Sequence, residues 1–200
     1  MLDIAMATRN RHKFRELTAL LRVPGVRWRS LAAHPDVPAV RETGRTFEAN
    51  ATKKALAVAR ATGRLAVADD SGLEVEALRW GPGVRSARFA GSHGDDRANN
   101  RKLLRLLDGL PPARRRARYR CVLALASPSG VVAVARGAWT GRIADHPRGR
   151  GGFGYDPVFL VPALGKTVGE LSPAVKQRLS HRARAARRLV PSLRRLARAA

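Results

Sequence analysis

The chain has 200 residues, 44% of them hydrophobic, and its 39 lysines and arginines outnumber 15 acidic residues, which gives a formal net charge of +24. This length fits a single domain spanning residues 1–200, and the apolar content excludes a disordered basic tail, because such a tail is too poor in apolar residues to bury a core. No apolar run approaches the roughly 20 residues of a membrane span, and the N-terminal apolar run is too short for a signal peptide. The single cysteine excludes an intramolecular disulfide. We therefore expect a cytoplasmic protein without a membrane partner.

Residues up to Leu78 alternate between predicted strands and helices. In chain order, the pattern first predicts a strand at 2–7, a helix with apolar positions Phe14, Leu17, Leu20 and Leu21, a strand at 26–30, and a loop at 31–45 containing Pro35 and Pro38. A helix follows from an N-cap at Thr46 to about Ala61 and is closed by Gly63. Two strands come next, a short one at 64–68 that ends at Asp69 and Asp70, and one at 73–78.

The pattern after Leu78 predicts three more helices and a long hairpin. In chain order, we first expect a Gly-rich loop at 80–91 and a helix capped by Asp95 or Asp96 whose buried stripe is Leu103, Leu104, Leu106 and Leu107. An antiparallel hairpin of 118–126 and 131–139 follows, then a Gly-rich loop at 146–157 and a strand at 158–162. The chain ends with a helix capped by Ser172 and a basic C-terminal helix interrupted near Pro191. Helices alternating with strands, followed by a hairpin, predict an α/β domain with a mixed sheet.

Arginine supplies most of the positive charge and is spread along the whole chain. One interpretation is a compositional bias that places arginines on solvated faces. The other is attraction to polyanions, either nucleic acid or phosphorylated metabolites. The even spread favours the first interpretation, although some electrostatic steering of anionic ligands is expected.

The segment ATRNRHK, residues 7–13, is a junction between a strand and a helix. A helix N-terminus offers free backbone N–H groups and a partial positive charge, which favour phosphate, and Lys13 is within reach of the same anion. The absence of glycine excludes a P-loop. A second segment, ETGRTFEANATKKA, holds Glu42, Asn50 and Lys54. Taken alone, both segments also fit ordinary solvated polar residues.

Asp69 and Asp70 follow an apolar run in AVADDSGLEV, residues 66–75. Open α/β sheets bind ligands at the carboxyl ends of their strands, and two unneutralised carboxylates there would be costly. Mg²⁺ removes this cost, because it takes a few carboxylate oxygens, keeps several waters and bridges to phosphates. Since adjacent residues of an extended chain point to opposite sides, at most one of the two aspartates is expected to contact the metal. The alternative, which we favour less, is that both cap the following turn.

Two later segments are candidates for binding a base. In GGFGYDP, residues 151–157, glycines permit close approach of the backbone, and Phe153 or Tyr155 could stack on a ring. A rigid loop with buried aromatic residues is the alternative. In KQRLSHR, residues 176–182, a cluster of basic residues surrounds Ser180, and it equally fits a solvated basic face.

Six segments taken in order resemble the inosine triphosphate pyrophosphatase family, also called dITP/XTP pyrophosphatases. They are ATRNRHKFRELTALL, ETGRTFEANATKKA, ADDSGLEVEAL, GPGVRSARFAG, GGFGYDPVF and SHR. The resemblance covers nearly the whole chain and implies a homodimeric, Mg²⁺-dependent enzyme that hydrolyses dITP, ITP and XTP to the nucleoside monophosphate and pyrophosphate. It also implies an elongated α/β fold with a mixed central sheet, flanking helices and two lobes around an active-site cleft.

The resemblance further implies roles for individual residues. Glu42 and Asp70 match metal-binding acids, Asp70 is also the catalytic proton acceptor, and Asp69 is its supporting neighbour. The residues implied in substrate binding are Thr8, Arg9, Asn10, Arg11, His12, Lys13, Lys54 and Ser71 on the phosphate side, and Phe153, Gly154, Tyr155, Asp156, Lys176, His181 and Arg182 on the base side. Arg9 and His12 replace small residues in the family's pattern Thr-Gly-Asn-x-Gly-Lys.

Two alternative functions remain open at this point. One is a related pyrophosphatase acting on other modified bases, such as methylated pyrimidines. The other is a non-enzymatic basic protein that binds nucleic acid through residues 181–200. The chain lacks the aromatic residues that single-strand binding interleaves with basic ones, so no stable nucleic-acid partner is expected.

Overall fold

The computed structural model of the chain describes residues 1–34, 37 and 39–199. Its strands are β1 (Leu2–Met6), β2 (Val26–Ser30), β3 (Leu65–Val75), β4 (Gly81–Pro82), β5 (Arg116–Ser127), β6 (Gly130–Ile143), β7 (Phe159–Val161) and β8 (Lys166–Thr167). Its α-helices are α1 (Arg11–Leu20), α2 (Phe47–Thr62), α3 (Asp96–Leu106), α4 (Pro173–Leu179) and α5 (His181–Ala199). Pro35 and Pro38 of the predicted loop lie outside the described residues. None of the described helices is long and apolar enough to cross a membrane.

The strands form a mixed sheet in the order β2-β1-β3-β5-β6-β7-β8, with β4 paired to β3. β1 is parallel to both β2 and β3. β4 runs antiparallel to β3, and β7 runs antiparallel to both β6 and β8. The predicted α/β class with a mixed sheet and flanking helices is confirmed.

The chain divides into two compact units. Unit 1 comprises Met1–Asp70, Cys121–Gly137 and Arg182–Ala200, and unit 2 comprises Ser71–Arg120 and Ala138–His181. In unit 1, fully buried leucines of α1 and α5, among them Leu17 and Leu189, belong to one apolar core with residues of β1, β3 and β5. In unit 2, the apolar core gathers buried side chains of β3, α3, β5, β6 and β7. Each unit therefore has its own core, and the predicted single domain stays a prediction.

Side-chain caps explain where several helices begin. Thr46 Oγ1 accepts a hydrogen bond from Ala49 N at 3.1 Å at the start of α2. That helix ends at Gly63, whose φ of +64° is in the left-handed region that glycine adopts without strain. Asp95, the first of the two predicted candidates, caps α3 by accepting a hydrogen bond from Ala98 N at 2.9 Å. The predicted caps thus fix the helix starts to within a residue.

Three predicted details are wrong. The strands predicted at 64–68 and 73–78 form a single strand of 11 residues, β3, so Asp69 and Asp70 lie inside a strand rather than at its end. The C-terminal helix continues through Pro191, because the buried leucines on both sides of the proline hold the helix against the core of unit 1. Leu106 is 46% exposed, since the buried side of α3 is set by Leu103 and Leu107, four residues apart.

Replacing Gly141 by alanine should destabilise the fold by about 1–3 kcal/mol. A Cβ on this β6 residue would lie 2.4 Å from Leu160 O and 2.6 Å from the ring of Phe159 on the neighbouring strand, so β7 would have to move. Urea denaturation gives the free energy of unfolding. Gly130→Ala is the matched control on the same strand, because nothing lies within 4 Å of the added Cβ. Equal stability of the two variants would contradict this description of the β6–β7 contact.

Candidate active site

The N-terminus of α1 is the first candidate binding element. Asn10 caps this helix by accepting a hydrogen bond from Lys13 N at 3.0 Å, and Thr8 Oγ1 accepts one from Asn10 N at 3.2 Å. No acidic residue lies in the first turn, so the partial positive charge of the helix terminus is not compensated by its own helix. The junction therefore has the backbone and the polarity that anion binding requires.

Three basic residues predicted to bind substrate surround this junction. Arg9, Arg11 and His12 are exposed. The guanidinium of Arg9 donates a hydrogen bond to Val37 O at 2.6 Å, which ties the junction to a distant segment of the chain. Arg11 and His12 lie in the first turn of α1. The structure thus places all three at the predicted junction.

β3 carries Asp69 and Asp70 just past the point where its parallel pairing with β1 stops. The register of that pairing ends at Met6 opposite Val67, and Val67 O then accepts a hydrogen bond from Ala7 N at 2.8 Å. The aspartates therefore lie beyond the carboxyl end of β1, where ligand sites of parallel sheets occur. As neighbours on an extended strand they contact different partners, as predicted.

Asp69 belongs to a buried cluster of opposite charges. Its carboxylate is 2% exposed and lies 2.9 Å from Lys13 Nζ and 4.0 Å from Arg182 Nε. Burial by itself raises the pKa of Asp69, but the charges of Lys13, Lys54 and Arg182 outweigh burial and hold that pKa well below its usual range. Arg182 also lies 3.3 Å from the carboxylate of Glu16. Asp69 is therefore ionised and matched by cations.

Asp70 has the opposite electrostatic balance. Its Oδ2 accepts a hydrogen bond from Asn50 Nδ2 at 3.0 Å, and its Oδ1 lies 3.7 Å from Lys54 Nζ. Burial is the largest influence, and together with the nearby charges of Glu42 and Asp69 it outweighs Lys54 and raises the pKa of Asp70 to about 6. The negative charge on Asp70 is therefore less fully compensated than that on Asp69.

Lys54 connects Asp70 with Glu42. Lys54 Nζ lies 2.7 Å from Glu42 Oε1, so one ammonium contacts both predicted metal-binding acids. Burial lowers the pKa of Lys54, but the charges of Asp69, Asp70 and Glu42 outweigh burial and raise it. Asn50 completes the group, since its Oδ1 accepts a hydrogen bond from Gly44 N at 2.7 Å and thereby holds the segment that follows Glu42. We call Glu42, Asn50, Lys54 and Asp70 the acid–lysine cluster.

The acid–lysine cluster fits a hard divalent cation. Its carboxylates are the oxygen donors that Mg²⁺ prefers, and they already converge on a positive group. Within the part of the chain that the structure describes, no three His, Cys, Asp or Glu side chains come together as a complete metal-binding set. This number of acids suits Mg²⁺, which is usually bound through one or two carboxylates with waters and substrate phosphates.

In unit 2, Asp156 organises the predicted base-binding loop. It is buried, and its Oδ2 accepts hydrogen bonds from Phe153 N at 2.9 Å and from Lys176 Nζ at 2.5 Å. Its Oδ1 accepts one from Tyr119 OH at 3.1 Å. Lys176 Nζ also lies 4.7 Å from the centroid of the Phe153 ring, a cation–π distance. The contacts of one carboxylate thus bring Phe153 and Lys176 together.

The two aromatic residues of this loop have different environments. Tyr155 is buried, and its hydroxyl donates a hydrogen bond to Ser86 O at 2.8 Å, so its ring supports the loop. Burial raises the pKa of this phenol. Phe153 is half-buried, so it is more accessible than Tyr155. Of the two predicted stacking residues, the structure therefore favours Phe153.

The remaining predicted residues lie at several places. His181 is buried, and its ring stacks on Tyr119 with the centroids 4.6 Å apart. Ser71 is half-buried on β3 in unit 2, and Arg182 is buried beside Asp69 in unit 1. Tyr119 was not predicted as a site residue, although it contacts both Asp156 and His181. Its only signal was an aromatic residue at an inward position of a strongly alternating strand.

The fold is that of solved Ham1 proteins. A HAM1 protein from Coxiella burnetii matches with a TM-score of 0.88 and 40% identity, over 96% of this chain and 98% of that chain. A structure from Mycobacterium abscessus described as a nucleoside-triphosphatase and dITP/XTP pyrophosphatase matches with a TM-score of 0.78 and 46% identity, over 96% of this chain and 100% of that chain. The chain belongs to the Ham1 family, whose sequence model matches residues 4–192.

Curated relatives agree with this assignment. A protein of Mycolicibacterium paratuberculosis named dITP/XTP pyrophosphatase is 52% identical over 203 aligned residues, covering 100% of this chain and 99% of the relative. A protein of Desulforamulus reducens with the same name is 49% identical, covering 98% of this chain and 97% of the relative. The family predicted from the six segments is confirmed.

Proposed function

We propose that this chain hydrolyses the non-standard purine nucleoside triphosphates dITP, ITP and XTP to the nucleoside monophosphate and pyrophosphate. The relatives' names bear out the predicted class of activity. The observation that carries the proposal is the contrast between the neighbours on β3: Asp69 is matched by buried cations, whereas Asp70 keeps an undercompensated charge beside Glu42 and Lys54. Asp69 already has its cations, whereas a buried carboxylate whose charge is undercompensated beside a second acid provides the oxygen donors that a divalent cation prefers.

The acid–lysine cluster supplies the chemistry of the proposed reaction. Glu42 and Asp70 would hold Mg²⁺, which when bound offsets phosphate charge and lowers the pKa of bound water. Asp70 orients a water for attack at the α-phosphorus and accepts its proton. A bond forms between the water oxygen and phosphorus, the bond from phosphorus to the bridging oxygen breaks, and pyrophosphate leaves with the electron pair. A bound cation favours the ionised carboxylate of Asp70, whose pKa burial and the neighbouring acids otherwise raise to about 6.

Cationic groups of unit 1 bind the phosphates. Lys13, Lys54 and the N-terminus of α1 stabilise the negative charge of the leaving pyrophosphate. Lys13 contacts Asp69 at 2.9 Å, so Asp69 orients this ammonium. Additional phosphate-side contacts are assigned to the remaining predicted residues, namely Thr8, Arg9, Asn10, Arg11, His12 and Ser71.

The loop around Phe153 recognises the base. Phe153 stacks on the purine, Asp156 and Lys176 fix the ring of Phe153, and Gly154 and Tyr155 shape the loop. Further base contacts are assigned to His181 and Arg182. Donors that face the 6-oxo group would be left unpaired by the 6-amino group of adenine, at about 1–3 kcal/mol for each donor. Guanine also has a 6-oxo group, so its rejection involves the 2-position.

The homodimer and the cleft between two lobes stay predictions of the resemblance, and the single domain and the cytoplasmic location stay predictions from length and composition. Modified pyrimidine nucleotides remain the alternative substrates. Nucleic-acid binding remains the alternative function, favoured only by the net charge of +24. A single experiment tests the candidate substrates side by side.

The expected result of that experiment is release of pyrophosphate from dITP and XTP with kcat/KM at least about a hundredfold above the values for dATP and dGTP. EDTA should abolish the release, and excess Mg²⁺ should restore it. 5-Methyl-dCTP serves as the pyrimidine arm, and binding of labelled single-stranded DNA at several salt concentrations tests the nucleic-acid alternative. No release from dITP and XTP would overturn the proposal, whatever the other arms give.

A further inference from the structure

Helix α3 holds both backbone groups of Gly154, the residue that follows Phe153. Asp96 Oδ2 accepts a hydrogen bond from Gly154 N at 2.6 Å, and Asn100 Nδ2 donates one to Gly154 O at 3.0 Å. Asp96 and Asn100 are four residues apart and therefore project from the same side of the helix. All of these residues belong to unit 2.

These contacts restrict the backbone on both sides of Phe153. The N–H of Phe153 is bound by Asp156 Oδ2 at 2.9 Å, and the N–H of the next peptide group is bound by Asp96. The two peptide groups that flank the Cα atom of Phe153 are thus each held by a carboxylate. Because φ and ψ of a residue are set by these two peptide groups, the direction of the Cα–Cβ bond of Phe153 is set with them, and this bond fixes the positions that the rotamers of the ring can reach.

Gly154 and Asn100 each have a feature that packing alone does not explain. Gly154 has a φ of +65°, and nothing lies within 4 Å of a Cβ built on it, so this position favours glycine for its backbone conformation and not for lack of space. Asn100 is buried, and among the described residues its Oδ1 has no hydrogen-bond partner. The unsatisfied oxygen of Asn100 costs free energy that an apolar residue would not cost. Packing alone therefore does not explain an asparagine here, whereas its hydrogen bond to Gly154 O does.

We propose that Asp96 and Asn100 are positioning residues for Phe153 and thereby control how tightly the enzyme binds the purine base. This inference rests on the proposed function, in which Phe153 stacks on the base. Neither residue touches the reacting phosphates in this account. Replacing Asp96 or Asn100 therefore weakens binding of the base equally in the ground state and in the transition state. This raises KM and leaves kcat nearly unchanged.

The test compares Asp96→Ala, Asp96→Asn and Asn100→Ala with Asp95→Asn. Asp95→Asn is the matched control, because it removes an adjacent negative charge, keeps an oxygen that can cap the helix through Ala98 N, and alters none of the hydrogen bonds to Gly154 described above. Asp96→Asn keeps an oxygen that can accept the hydrogen bond from Gly154 N. Each variant is assayed for kcat and KM with dITP, and thermal melting confirms that it is folded.

Two product-side ligands separate positioning of the base from a general structural effect. Binding of dIMP, which carries the base, and competitive inhibition by pyrophosphate, which does not, are measured for each variant. Asp96→Ala should raise KM for dITP and Kd for dIMP about tenfold, the effect of losing one charge-assisted hydrogen bond. Asn100→Ala should raise both about threefold, and Asp96→Asn should recover most of the loss. Inhibition by pyrophosphate and kcat should stay within about twofold.

Three outcomes would overturn this inference while leaving the proposed function intact. One is an unchanged KM in Asp96→Ala. Another is an equal weakening of dIMP and pyrophosphate binding, which indicates a general structural role. The third is a KM for Asp95→Asn that rises as much as that for Asp96→Ala. Absence of dITP turnover in the wild-type chain is a different result, since it rejects the proposed function itself.

Discussion

Asp70→Asn should lower kcat for pyrophosphate release from dITP at least about a thousandfold, because it removes both the proton acceptor and one of the two acids assigned to Mg²⁺. The same substitution should leave the free energy of unfolding unchanged or raise it. Burial and the neighbouring acids raise the pKa of Asp70 to about 6, so near pH 7.5 its negative charge opposes folding. An asparagine keeps the shape and can still accept from Asn50.

The assay for this variant is pyrophosphate release together with urea denaturation. Asp108→Asn is the matched control, since it removes an exposed carboxylate in the turn after α3. It should change neither quantity measurably. Turnover of Asp70→Asn within tenfold of wild type would refute its catalytic role, and a large loss of stability would refute the account of its electrostatics.

Short-range signals predict much of this site. The cap predicted at Thr46 depends on residues three positions apart, and the structure has α2 beginning directly after it. The cap at Asn10 has the same spacing but was not predicted; only a strand-to-helix junction at 7–13 was. The opposite directions of Asp69 and Asp70 follow from strand geometry alone. That the two aspartates lie inside β3 does not follow, because a polar pair after an apolar run is also typical of a strand end.

Contacts between distant segments could not be predicted from the sequence. Asp156 is recognisable as part of a motif, but its hydrogen bonds to Tyr119 and Lys176 join residues far apart in the chain. Asp96 gave only the signal of a possible helix cap, whereas its neighbour Asp95 makes the cap and Asp96 binds Gly154. Which of two adjacent carboxylates turns toward a loop depends on tertiary packing, and local propensity carries no information about it.

Asp69→Ala should destabilise the fold by about 3–5 kcal/mol, the usual cost of removing one partner from a buried ion pair. Lys13, whose side chain is only 20% exposed, would lose a carboxylate 2.9 Å from its ammonium with little water to replace it. Arg182, whose side chain is 7% exposed, would lose the carboxylate at 4.0 Å and keep that of Glu16 at 3.3 Å. Urea denaturation at constant pH measures the change in the free energy of unfolding.

Asp3 offers the control for burial, because it is also a carboxylate with several cationic partners. It contacts Arg27, Arg29 and Arg64, and Asp3→Ala removes all of these ion pairs. These arginines are 42–52% exposed, and water solvates them when the carboxylate is gone. The loss of stability in Asp3→Ala should therefore be much the smaller of the two. Equal losses would mean that Asp69 is only another member of a solvated charge network, and the division of labour on β3, with one aspartate for the fold and one for the reaction, would have to be abandoned.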